Sequence, residues 1–260
     1  ISDGGNTVGY NNNLSSAIYD HVEVLRGANM LGGFSSSSGI SGSVNLVRKR
    51  PVDHFQLIYS TAAGSWNNYQ NMLDVSGPLN DSGSLRGRTV LSWQKQDYFY
   101  HYADRDDRTV YNILEFNLTS STLLTAGVNY HRLNATPWIS GLSMYEDGSD
   151  PKFSRKTSFT QPWAFSHTET KEFFAGWEQQ LGEHWGLKTN YDGQYTQFGS
   201  LMPSTAGPIN EGTGEFDSIS GSGVQGKART YSWDTKLSGD FDIGGLTQKL
   251  IFGAKYDKNY

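Results

Sequence analysis

The 260-residue sequence contains no cysteine. That excludes a disulfide framework and any thiolate-bound metal. Only seven prolines stand beside thirty glycines and 13% aromatic residues, a balance that suits a protein of strands and turns. Long apolar runs are missing too: no stretch nears the roughly 18 consecutive residues that a membrane helix needs. Hydropathy alone would therefore read the chain as soluble. Charge gives no strong signal either, since 21 basic and 26 acidic residues leave a net −5 and no footing for nucleic-acid binding. The sequence opens at Ile1 without a methionine or a basic, apolar leader.

Catalytic patterns are equally sparse. The six histidines are scattered without an HExxH pair, and no serine sits in G-x-S-x-G. Gly221 to Gly226 fits G-x-G-x-x-G formally, but it follows a loop and opens a strand, whereas a dinucleotide site needs a strand before it and a helix after it. Asp147-Gly148-Ser149-Asp150 lacks the later glutamate of a calcium loop. No catalytic residue and no protein ligand set for a metal is expected.

What is present is alternation. From Phe55 onward, Leu124, Ala126, Val128 and Tyr130 oppose Thr125, Gly127, Asn129 and His131. Trp185, Leu187, Thr189, Tyr191 and Tyr195 oppose Lys188, Asn190, Asp192, Gln194 and Thr196, and Tyr231, Trp233, Thr235 and Leu237 oppose Ser232, Asp234, Lys236 and Ser238. These runs reach the roughly 9–11 residues with which a tilted strand spans a bilayer. Aromatic residues gather towards the ends of the apolar faces, as in an interfacial girdle. A soluble sandwich would bury Trp185, Tyr191 and Trp233; a membrane wall exposes them to lipid. Short turns are expected at Asn80–Ser84, Thr119–Thr122, Gly182–His184 and Gly244–Gly245. Long loops are expected over Tyr98–Arg108, Asn134–Thr168 and Phe198–Gln225, the asymmetry of an outer-membrane barrel. The pattern predicts an all-β chain of roughly nine antiparallel transmembrane strands. That is fewer than the ~22 of plugged transporters, and the last alternating run is still open at Tyr260, so a fragment is expected.

Before the alternation lies Tyr19 to Pro51, where two short apolar runs, Val22–Leu25 and Val44–Val47, flank glycines and serines. This reads as two strands joined by a backbone-dominated loop. The residues VEVLRG (Val22 to Gly27), the Gly39–Gly42 loop and SVNLVRKRP (Ser43 to Pro51) resemble the end of the plug domain of TonB-dependent outer-membrane receptors. Their sub-pattern is similar to that of ferric siderophore receptors of the ferripyoverdine type. The likeness continues through Ser76–Arg88 and Leu123–Tyr130; Phe34-Ser35-Ser36-Ser37-Ser38 is bulkier and more polar than the family's usual loop.

The resemblance implies that residues 1–51 are the C-terminal part of the plug and 52–260 the N-terminal barrel strands. It implies active uptake of a ferric siderophore across the outer membrane of a Gram-negative bacterium, no directly bound cofactor, and energy relayed by an inner-membrane TonB complex that touches a segment upstream of Ile1. Outer-membrane lipid is then a further partner. Other TonB-dependent cargoes, such as cobalamin or an oligosaccharide, would share the fold, and a passive porin would lack the plug. Trp163, near a ligand-facing tryptophan of the pattern, leads the candidate ligand contacts, followed by Phe34, Trp138, Tyr10 and Tyr145. Aromatic side chains offer rigid area that stacks on delocalised rings, although loop packing explains each of them equally simply. Cationic Arg155 and Lys156 suit an anionic chelate. Arg26 is expected inside the lumen, locking plug to wall through Glu23 or a wall carboxylate such as Glu115. Arg48-Lys49-Arg50 reads as a solvated exit from the plug.

Overall fold

The computed structural model describes residues 2–3, 6–7, 15–26, 42–136 and 141–260. They form two antiparallel-rich sheets. The smaller contains β1 (Ser2–Asp3), β2 (Asn6–Thr7), β3 (Tyr19–Arg26) and β4 (Gly42–Arg48), in the order β2-β1-β4-β3. A single 3-10 turn, Ser16–Ile18, leads into β3.

The larger sheet is a nine-stranded meander in which each strand pairs only with its sequence neighbours. Its members are β5 (Gln56–Gly64), β6 (Asn68–Pro78), β7 (Leu85–Asp97), β8 (Asp104–Thr119), β9 (Thr122–Ala135), β10 (Phe165–Leu181), β11 (Trp185–Ile209), β12 (Phe216–Ile243) and β13 (Leu246–Asn259). One end of this wall closes in tight turns. Gly244 and Gly245, with φ of 60° and 81°, supply the left-handed pair that a two-residue hairpin requires.

The period-2 alternation fixes which face each side chain takes. One face presents Leu91, Val110, Val128, Phe173 and Trp233 outward, all exposed. The other holds Asp74, Arg88, Tyr111, Glu115, Phe174 and Asp192, all buried. Tyr191 and Trp233 are 39% and 53% exposed and Trp185 is half-buried, so the sandwich arrangement is ruled out. The polarity is inverted relative to a soluble protein: apolar groups point away from the packed side and charges point into it.

The packed side has a small apolar nucleus. Ile18 from the leading turn sits against Val90, Tyr111, Ile113 and Phe174 of the wall. Ile18 is 2% exposed, and burying such a side chain is worth about 2–3 kcal/mol. This nucleus sets the height at which the small sheet seats.

Two expected loops are shorter than the sequence implied. β8 begins at Asp104, inside the expected Tyr98–Arg108 loop. Most of Phe198–Gln225 is strand, because β11 and β12 pair continuously from Trp185↔Gly239 to Ala206↔Ser218, leaving only Asn210 to Glu215 as the tip. Pro203 pairs with Gly221 within this hairpin. Glycine, serine and proline there imitate a loop because that height needs no lipid-facing alternation. The formal G-x-G-x-x-G run lies inside β12.

Candidate functional site

The functional geometry has two parts, a charge clamp between the small sheet and the wall, and an aromatic rim at the long-loop end.

The clamp is built by the residues that leave β4. Arg48 donates to Glu172 of β10 at 2.6 Å and to Asp192 of β11 at 3.1 Å, and its guanidinium lies 4.4 Å from the centre of the Phe174 ring. Lys49 donates to Asp74 of β6 at 3.0 Å. Arg50 donates to Glu115 of β8 at 2.5 Å and reaches Glu178 of β10 at 3.5 Å. Three consecutive cations thus engage carboxylates on four strands. The wall supports these acids with its own cations: Arg88 donates twice to Asp74, at 2.8 and 2.7 Å, and Arg86 donates to Glu115 at 3.2 Å. The backbone is held as well. Tyr111 donates its hydroxyl to the Lys49 carbonyl at 2.9 Å, Arg88 donates to the Arg50 carbonyl at 2.9 Å, and the Val52 amide donates to Ser76 Oγ at 3.0 Å.

Burial gives the clamp its strength. The side chains of Arg48, Glu172 and Asp192 are 9%, 3% and 5% exposed. Water does not screen them, so removing either sign would strand the other. The solvated-exit reading of Arg48-Lys49-Arg50 is therefore corrected: all three are paired with the wall, and the first two side chains are only 9% and 15% exposed. A run of basic residues looks solvated in one dimension; the wall carboxylates that receive it lie 25 to 144 residues away in sequence.

Among the described residues, Arg26 pairs with neither Glu23 nor Glu115. Arg26 is exposed, and Glu23 accepts from Asn45 at 2.9 Å and lies 3.4 Å from His21. Glu115, the wall carboxylate considered for Arg26, is held by Arg50 and Arg86 instead. The physical reason is register: Arg26 pairs with Gly42 at the far end of the β3–β4 ladder, whereas the β4 exit at Arg48 runs along the wall. The Asn45 hydrogen bond, followed by that of His21, lowers the pKa of Glu23.

At the long-loop end, residues 141–164 fold onto the tall β11–β12 hairpin. A methyl group added at Gly221 of β12 would meet the Trp163 ring at 3.4 Å, which places the outer edge of the indole against this glycine. Trp163 remains 42% exposed. Tyr145 bridges to Ile209 near the hairpin tip and is half-buried. Phe153, Phe159 and Phe216 form edge-to-face pairs at 5.6 and 4.7 Å that pin the loop down. Trp163 and Tyr145 therefore share one support, about 20 Å apart along it by strand rise. Arg155 and Lys156 are exposed nearby in the same loop. Tyr10, Phe34 and Trp138 lie outside the described residues.

The sequence reading missed a further feature of the rim. Tyr98, Tyr100 and Tyr102, with Asp97, Asp104 and Gln161, line an open depression of about 450 Å³. Tyr98 and Tyr100 stack at 5.4 Å, and burial raises the Tyr100 hydroxyl above the ordinary tyrosine range. The signal was available in the run Tyr98-Phe99-Tyr100-His101-Tyr102, too dense in rings for an ordinary loop tip.

A wall apolar outside and charged inside, clamped to a small sheet, is the arrangement of a filled outer-membrane barrel. No protein-family model matches the chain. Its sequence is 36% identical over 250 residues to the ferric-pyoverdine M114 receptor of Pseudomonas sp. strain M114, covering 95% of this chain and 30% of that receptor. It is 32% identical over 257 residues to the ferripyoverdine receptor of Pseudomonas aeruginosa, covering 95% and 31%. The crystal structure of the P. aeruginosa outer-membrane ferripyoverdine receptor bound to ferripyoverdine superposes with a TM-score of 0.88 at 30% identity, over 94% of this chain and 32% of that one.

The chain is a homologue of the ferripyoverdine receptors. It spans about 30% of the length of the curated relatives it matches. The resemblance drawn from Tyr19–Pro51 is thereby borne out, as is the fold, an incomplete antiparallel membrane barrel with part of a plug.

Proposed function

We propose that this chain is the end of the plug (residues 1–51) and the first wall strands (52–260) of an outer-membrane receptor that takes up a ferric siderophore of the pyoverdine class in a TonB-dependent manner. The observation that carries the reading is the clamp from Arg48 to Arg50, which seats a small sheet against the charged inner face of a wall. A passive pore has no use for it. Similarity over nearly the whole chain to receptors for ferric pyoverdines narrows the cargo.

The geometry supports a division of labour. The long-loop rim, with Trp163, Tyr145 and the tyrosine depression, captures the chelate through rings and cations, together with Phe34, Trp138 and Tyr10. Iron arrives inside its chelator, so the protein supplies neither metal ligands nor catalysis. Force from the inner-membrane complex then acts on the plug. Its exit is held by part-buried ion pairs to β6, β8, β10 and β11, while Arg26 and Glu23 on β3 are exposed. The plug then stays tethered at the β4 exit while force remodels the rest of it, which opens a path and lets it return.

Radioactive iron–pyoverdine uptake by cells carrying the full-length receptor tests this reading. Saturable uptake that disappears without TonB, and that ferric pyoverdines compete better than cobalamin or ferric catecholates, is the expected result. Uptake independent of TonB, or competed best by cobalamin, overturns it.

A further inference from the structure

The outward face of the wall is segregated by height. From the tight turns upward, every outward position on β7 to β13 is uncharged at first: Leu85 to Trp93 on β7, Leu118 back to Val110 on β8, Leu246 to Tyr256 on β13. Then the outward positions turn basic. Lys95 stands on β7, Arg108 on β8, Arg132 on β9, Lys171 on β10, Arg229 on β12 and Lys258 on β13, all exposed. Lys227 stands one outward place above Arg229.

Register shows that these cations form one row. Arg108 pairs with Arg132, and the strand positions on either side step down gradually: Arg108 faces Trp93, Lys171 faces Tyr130, and Lys258 faces Tyr231. A steady step of this kind is what strand tilt gives to a line at constant height. Measured from the tight-turn ends at Leu85, Thr119, Thr122 and Leu181, the first four cations lie ten or eleven residues up. That is the length with which a tilted strand crosses the hydrocarbon layer. Seven strands spaced about 4.8 Å apart make the row roughly 30 Å long.

The row is net positive. Four outward carboxylates border its upper edge, Asp106 paired with Arg108, Glu169 paired with Lys171, and Asp97 and Asp104 beyond Lys95, against seven cations. Among the described residues Lys95, Arg132, Lys227 and Arg229 form no ion pair; Arg229 lies over the Tyr195 ring at 5.5 Å. Trp93, Tyr130, Tyr195 and Tyr231 lie in or just below the row on the same face. Cations placed merely to anchor the ends of strands at water would be expected at both rims, yet the outward positions of the tight-turn rim hold none.

We infer that this row is a docking surface for net-anionic, phosphorylated lipid of the outer leaflet. Its acyl chains lie on the apolar band and its phosphates on Lys95, Arg132, Lys227 and Arg229. The inference rests on the reading of the wall as an outer-membrane barrel with its long loops outside. Charge complementarity selects the headgroup, and the one-sided placement selects the leaflet.

The test uses the full-length receptor in zwitterionic detergent and labelled diphosphoryl lipid A as the probe, comparing wild type with the Lys95→Gln, Arg132→Gln, Lys227→Gln, Arg229→Gln combination. Saturable binding to wild type, weakened roughly a hundredfold in the variant, is expected from about one kcal/mol per cation, discounted for screening. A phosphate-free analogue should bind neither protein, and excess inorganic phosphate should not displace the lipid. Equal binding by the variant, equal binding of the phosphate-free analogue, or displacement by inorganic phosphate overturns the inference. Heat-resistant gel mobility and ferric-pyoverdine binding are read on the same samples. If both persist while the lipid result fails, only this inference falls; if mobility is also lost in the wild type, the barrel reading falls.

Discussion

Replacing Arg48 by methionine keeps much of the side chain's bulk over Phe174 but removes the positive charge between Glu172 and Asp192. Those carboxylates are 3% and 5% exposed and lie at 2.6 and 3.1 Å from the guanidinium. Breaking a buried pair by deleting one partner costs about 3–5 kcal/mol, because the survivors stay charged and dry. The loss falls on the seating of the plug rather than on the wall, whose strand ladders are untouched. Opening of the β4 exit should become about two to three and a half orders of magnitude more frequent. Hydrogen exchange of the peptide covering residues 44–52, followed by mass spectrometry on the full-length receptor, reads this directly. The triple variant Arg48→Met, Glu172→Gln, Asp192→Asn removes both signs together and should recover most of the protection, since a neutral replacement of a buried ion pair is often nearly free. Exchange of the single variant within threefold of wild type would refute the clamp. So would a triple variant no better protected than the single one.

Three further outcomes follow. Gly127→Ala places a methyl group against the Phe174 ring and 2.7 Å from the Asn112 carbonyl; overpacking of about 1–3 kcal/mol should lower the denaturation temperature of the folded barrel on heat-modifiability gels, and an unchanged temperature would contradict the packing. Trp163→Ala should leave that temperature unchanged while weakening ferric-pyoverdine binding by about tenfold or more, as expected for an aromatic anchor; unchanged affinity in a fluorescence-quenching titration would remove Trp163 from the site. The His21 imidazolium donates to Asp20 and then Glu23, which raises its pKa above the ordinary value. Its raised pKa makes this local stabilisation complete below the unfolded value and lost as pH rises through the folded one. An NMR titration should show Asp20→Asn lowering the His21 midpoint more than Glu23→Gln does, and equal midpoints in all three proteins would refute the assignment.

Much of the wall was legible because lipid on one side and a filled lumen on the other enforce a two-residue period. Leu124, Ala126, Val128 and Tyr130 face out, and Thr125, Gly127, Asn129 and His131 face in, as the alternation requires. The tight turns were equally readable, since Gly244-Gly245 has few other uses. The hairpin above the membrane was not: beyond Gln197 no solvent contrast acts across the strands, and Pro203 or Gly221 carries no period. The clamp was misread for a different reason. A basic side chain's neighbours are set by register between distant strands, so Arg48 looks solvated until Glu172 and Asp192 are brought beneath it. For Arg26 the alternation helped no more, because it gives the face of a residue but not its distance from the wall.

The central claim is that the wall separates lipid from a filled lumen. The absence of cysteine from this stretch allows single-cysteine spin labels to be placed at Val110, Val128, Phe173 and Trp233 on one face and at Thr109 and Ser232 on the other. In the full-length receptor reconstituted in bilayers, the first four should be relaxed strongly by molecular oxygen and weakly by a water-soluble nickel chelate, whereas Thr109 and Ser232 should be shielded from both. Outward labels shielded from oxygen, or open to the nickel chelate, would contradict it.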